Sequence, residues 1–106
     1  NISFMNLIII EGIILLASIF HHSNINLFHR AEKILSYIIV TPSIHWVHHH
    51  AKQTNTDSNY STIFSWWDRL FYTRSSMLRF IGMIIGVEGD KEQTLFTLIR
   101  RPFIKK

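Results

Sequence analysis

The sequence predicts an all-α integral membrane protein fragment, with one transmembrane span followed by a cytoplasmic, histidine-bearing helical region. Three observations predict it. Residues 2–20, "ISFMNLIIIEGIILLASIF", are almost continuously apolar. Later apolar residues recur at helical rather than alternating spacing. Seven histidines stand among 106 residues, and His45, His48, His49 and His50 fall within one short stretch.

Composition narrows the class. Hydrophobic residues are 47% and charged residues 17%, which excludes a disordered chain. The absence of cysteine excludes disulfides, thiolate zinc sites and iron–sulfur clusters. A net charge of +4 suits either nucleic acid or anionic lipid, and the apolar content selects lipid, not nucleic acid. The first residue, Asn1, fits an internal or C-terminal piece of a longer protein. Three regions are expected: a transmembrane helix over 1–20, a histidine-motif region over 21–76 and an amphipathic tail over 77–106.

About 20 apolar residues suffice to cross a bilayer as a helix, and so short a domain has little volume in which to bury one. No basic segment precedes the stretch and no small-residue cleavage site follows it, so it is not a typical signal peptide. Glu11 is costly in lipid and should face protein, a cavity or headgroups. Arg30, Lys33, Lys52, Arg69, Arg74 and the terminal "IRRPFIKK" all follow the span. The positive-inside rule then places residues 21–106 on the cytoplasmic side.

"NINLFHRAEKILSYIIV" begins as loop and becomes helical, with Phe28, Ala31, Ile34, Leu35, Ile38 and Ile39 on one face. Thr41-Pro42 ends that helix and opens the next, with Thr41 as N-cap and Pro42 at the first helical position. From that start His45, His48 and His49 share an arc about 100° wide, while His50 turns to its edge and Val47 opposes it. Asp57, Ser58 and Asn59 form a turn. Ile63, Phe64, Trp67, Leu70 and Phe71 then describe an amphipathic helix. Its aromatic cluster, Trp66, Trp67, Phe71 and Tyr72, suits a membrane–water boundary and equally suits core packing. The apolar run from Phe80 to Val87 is too short to span. "VEGDKEQ" reads as a turn and helix start, and Leu95, Phe96, Leu98 and Ile99 continue as an amphipathic helix that rests on bilayer or domain.

Neutral imidazole is the commonest nitrogen ligand for iron, zinc and copper. Three imidazoles from one or two helical turns reach a single metal with difficulty but can serve two adjacent metals. A solvated face with fortuitous histidines is the bland alternative, and the histidine density argues against it. "HHSN" at residues 21–24 is less specific, because a histidine at a helix end is often only an interfacial hydrogen-bonder. Beside the second cluster it joins the metal reading. Asn24 could cap the next element. Asp57 could accept the second N–H of a ligand histidine, or be a solvated turn carboxylate.

Taken in order, "FHHSN", "TPSIHWVHHH", "DSNY" and "WWDRLF" resemble the C-terminal half of the fatty acid hydroxylase / sterol desaturase superfamily, over roughly residues 20–73. The resemblance implies a membrane enzyme with a histidine-held centre of two iron ions, for which zinc could substitute in a purified form. Such enzymes use O₂ to hydroxylate or desaturate a lipid or sterol substrate, with an electron donor such as a cytochrome b5 or ferredoxin system. His22, His45, His48 and His49 match the family's ligand positions, Asp57 and Asn59 lie in the "DSNY" segment as possible supports, and His21 and His50 are extra. The chain departs from the pattern at Trp46, where arginine is usual, and at Ser61 and Tyr72, where glycine is common. It also lacks an upstream H-x-x-x-H and a second H-x-x-H-H. The resemblance therefore implies a partner: a missing N-terminal half carrying further histidines, without which this fragment is inactive.

Two other classes compete. A zinc hydrolase of membrane substrates would want a glutamate base beside its histidines, as in H-E-x-x-H, and none is present. A non-catalytic metal- or haem-binding protein is the second, and haem would need histidines on two facing spans where one is evident.

Overall fold

The computed structural model describes residues 2–89 and 93–104. Among them the elements are α1 (Phe4–His21), α2 (His29–Leu35), α3 (Pro42–His48), α4 (Gln53–Thr56), α5 (Trp66–Leu70), α6 (Leu95–Arg100) and a 3₁₀ turn, Arg101–Phe103. No strand occurs among the described residues, and one antiparallel bridge joins His50 to Ile85.

α1 has 18 residues and is long and apolar enough to cross a membrane. At 1.5 Å per residue it measures about 27 Å, close to a bilayer's hydrocarbon core. The Ser3 hydroxyl caps it by accepting from the Asn6 amide at 3.2 Å. Only His21 is buried along its length. A helix apolar on every side belongs in a core or in lipid, and the described residues leave it uncovered. Its C-terminal end alone packs on α3. The projecting rod makes the radius of gyration 16.7 Å, against about 13 Å for a compact domain of this size.

α2 stops four residues short of the helix expected through Ile39. The Ser36 carbonyl explains the stop, because side chains take it: Ser65 Oγ at 2.8 Å, an Arg69 nitrogen at 3.0 Å and an Arg74 nitrogen at 3.1 Å. The chain then turns through residues 36–39 and passes residues 63–65, with the Val40 amide on the Ile63 carbonyl at 2.9 Å and the Ser65 amide on Ile38 at 3.2 Å. Thr41 caps α3 as expected by backbone position. Its hydroxyl, however, donates to Glu32 instead of accepting from the first turn.

The aromatic helix is also shorter than its apolar pattern predicts, because the residues before it are otherwise engaged. Asp68, only 2% exposed, accepts from the Tyr60 amide at 2.8 Å, the Ser61 amide at 3.1 Å and Thr73 Oγ1 at 2.7 Å. That carboxylate pins residues 60–61 in an open turn, so α5 begins only at Trp66. Tyr72 follows at φ 58°, which explains why its position favours glycine.

The apolar core is small: Val40, Ile44, Val47 and Met83. Buried polar groups complete it. Asn59, at φ 52°, donates to the Ile44 carbonyl at 3.1 Å and accepts from the Ser75 amide at 3.0 Å. The run from Phe80 to Val87 is not helical. It lies along α3 and the turn after it, through the Arg79 amide on Ser43, the Ala51 amide on Ile84 and the Gly86 amide on the His49 carbonyl. Part of "VEGDKEQ", residues 90–92, lies outside the described residues. The expected helix after it is α6, capped by the Thr94 hydroxyl on the Thr97 amide and exposed throughout.

Candidate metal centre

The packing of α1 on α3 brings two sequence-distant histidine clusters together. His22 ends α1, and its Nδ1–H donates to the Ser18 carbonyl one turn back at 2.9 Å. In the neutral ring, that bond makes Nε2 the lone-pair nitrogen. His45 and His49, four residues apart at the end of α3, point the same atom toward it. The Nε2 separations are 2.9 Å for His45–His49, 3.1 Å for His22–His45 and 3.3 Å for His22–His49. Nitrogens bound to one metal at about 2.0–2.1 Å stand about 3 Å apart.

The electrostatics suit a cation. Burial first, then the neighbouring His21, His49, His22 and His48 rings, lower the His45 pKa to about 3. Burial, followed by His48 and His22, lowers that of His49. Both rings are therefore neutral near pH 7, the form that binds metal. Lone pairs converging at 3 Å repel one another unless a proton or cation lies among them. The donor set and its spacing thus fit a transition metal.

His48 lies beside this triangle and not in it. Its Nδ1–H donates to the Ser58 carbonyl at 2.8 Å, which frees Nε2. Its ring centre stands 5.4 Å from that of His49 and 5.6 Å from that of Tyr60. His45, His48 and His49 share the expected arc, with His48 and His49 at its opposite edges, so His49 reaches the triangle with His45 and His48 faces Ser58 and Tyr60 beside it. His50 turns away as expected, taking a bond from Asn55 at 2.8 Å and facing Phe80.

His21, read from sequence as an extra, is buried against His45 with ring centres 4.0 Å apart. Its Nδ1 is buried without a hydrogen-bond partner, as is that of His45. His21, His22 and His45 can bring ligand atoms within 4.8 Å of one another. Asp57 is exposed and, among the described residues, bonds to no histidine. Asn59 touches none either, but ties α3 to residue 75. The groups that orient the rings are the backbone carbonyls of Ser18 and Ser58, which no side-chain pattern reveals. Asn24 caps nothing and instead accepts from Arg79. A cavity of about 210 Å³ opens beside the triangle, lined by His22, His45, Trp46, His49 and Ile85.

A membrane-length helix whose end delivers a histidine into a cluster of neutral imidazoles defines a helical membrane protein with a histidine site at the end of its span. The fatty acid hydroxylase family model matches residues 2–73, and the chain belongs to that family. Membership makes this a domain of the lipid hydroxylase type, an oxidoreductase class that generally depends on iron. Comparison with curated proteins and with solved structures returns no match.

Proposed function

We propose that the chain is the histidine-bearing, C-terminal part of a membrane-bound non-haem di-iron oxygenase that hydroxylates or desaturates a lipid or sterol chain with O₂. The observation that carries this reading is the triangle of His22, His45 and His49 nitrogens at 2.9–3.3 Å. These three would hold one iron, and His48, with its Nε2 free, would hold the second. Bound iron supplies the power to break an unactivated C–H bond, using O₂ and electrons from a donor such as a cytochrome b5 or ferredoxin system.

The chain's own residues prepare the site. The Ser18 and Ser58 carbonyls fix tautomer and ring orientation for His22 and His48. Trp46 and Ile85 give the adjoining cavity an apolar wall against which a hydrocarbon segment can lie. The basic residues after α1 support a cytoplasmic face for the site under the positive-inside rule. Two irons need more nitrogen donors than this chain assembles, so a further histidine-bearing segment completes the centre, and this chain alone is inactive.

Metal analysis of the chain combined with such a segment tests the reading. Two irons per complex with lipid-dependent O₂ uptake is the expected result. Zinc without O₂ uptake would transfer the site to the hydrolase class, and no bound metal would leave it without catalytic chemistry.

A further inference from the structure

We propose that the cavity between α2, α5 and residues 74–78 binds a phosphate group, presented either by a lipid headgroup or by a soluble phosphate ester. This site is separate from the histidines and does not depend on their chemistry. Part of it is built by Arg74, Ser75, Ser76 and Leu78, which lie beyond the family match.

The cavity measures about 420 Å³, and the cations Lys33, Arg69 and Arg74 line it against a single carboxylate, Glu32. Both guanidiniums are held by the backbone. Arg69 donates to the Tyr37 and Ser36 carbonyls, each at 3.0 Å, and Arg74 to the Ser36 carbonyl at 3.1 Å. Arg69 also sits over the Tyr37 ring, 4.0 Å from its centre. A guanidinium carries five N–H donors, so most of these remain for a ligand.

The nearby carboxylates offset part of this charge but direct their oxygens elsewhere. Glu32 accepts the Thr41 hydroxyl. Asp68 commits both oxygens to Tyr60, Ser61 and Thr73. Arg74 is half-buried, and burial followed by the adjacent Arg69 charge lowers its pKa despite Asp68 and Glu32. With Lys33, the two clamped guanidiniums outnumber the nearby carboxylates Glu32 and Asp68 by one, which leaves a net positive charge at the cavity. Ser75 and Ser76 add hydroxyls to the wall. Two forked cations and two hydroxyls offer more donors than a carboxylate's two oxygens can accept. A phosphate, with three or four oxygens, matches them better.

The test titrates inorganic phosphate into the full chain in uncharged detergent micelles, and repeats the titration with phosphatidic acid added to the micelles. Wild type should bind phosphate, and Lys33→Glu and Arg74→Gln should each weaken binding by roughly tenfold or more. Competition by phosphatidic acid would identify a headgroup as the source, and its absence a soluble ester. Either outcome supports a phosphate site. Failure of wild type to bind both probes, or binding unchanged in the variants, overturns it. The Lys33 side chain is exposed, so Lys33→Glu remains decisive even if Arg74→Gln fails to fold.

Discussion

His45 and His49 stand one helical turn apart and bring their Nε2 atoms to 2.9 Å, while His22 reaches both from the end of α1. His50, one residue beyond His49, is outside this geometry and bonded to Asn55. His22→Ala, His45→Ala and His49→Ala should therefore each lower iron affinity of the assembled enzyme by at least about 10–100-fold, the loss typical even of groups that only support ligands. His50→Ala should change it less than about twofold, since it removes no donor from the triangle. Iron content measured after graded chelation separates the two sets. Equal losses at all four positions would show that the triangle does not define the site.

Protonation should act on the metal-free chain as well. The His45 pKa falls from 6.5 to about 3 on burial among its neighbours. A lowered histidine pKa means that the unfolded chain binds the proton more readily. The neutral ring's stability is fully present above pH 6.5. It is lost as pH falls toward 3, the window set by that shift. Thermal melts of the apo chain in micelles should drop across this range, and His45→Asn should flatten the slope. A wild-type melt independent of pH between 7 and 4 would contradict this.

Asp68 organises the turn before α5 through the Tyr60 and Ser61 amides and the Thr73 hydroxyl. Asp68→Asn turns a donor toward donors in a buried place. The expected loss is about 2–3 kcal/mol, the range for an unsatisfied buried polar group next to a lost charged bond. Denaturant titration of the folded chain measures it, with Glu32→Gln as a partly buried comparison that should cost less.

Tyr72 holds φ 58° with a side chain 95% exposed. Glycine there relieves left-handed strain of about 1–2 kcal/mol and gives back about 0.5–1 kcal/mol in chain entropy. Tyr72→Gly should stabilise by up to about 1.5 kcal/mol, whereas Tyr72→Val, branched at Cβ, should destabilise. Melting both variants in the same detergent decides the sign.

The sequence carried the span, the two histidine clusters and the divergence of His50, because each depends on local composition or helical phase. Helix lengths were less legible. α2 ends at Leu35 and α5 starts at Trp66 because Ser36 and Asp68 collect hydrogen bonds from distant residues, and apolar spacing contains no trace of those bonds. The division of labour among His45, His48 and His49 turned on which ring faced His22 and which faced the Ser58 carbonyl, and the residue spacing holds neither partner. The burial of His21 depended on the crossing of α1 over α3, which no spacing rule encodes.

One corner of the nitrogen triangle rides on the membrane helix, and the other two ride on α3. The rod is about 27 Å long, slightly under the roughly 30 Å of an average hydrocarbon layer, and such mismatch is absorbed by tilt or local thinning. If the triangle holds the proposed iron, bilayer thickness becomes a mechanical input to coordination, because rocking the rod would open or close the gap between His22 and its partners. Iron affinity of the assembled enzyme should accordingly vary with acyl length in reconstituted bilayers, peaking where the lipid fits the rod.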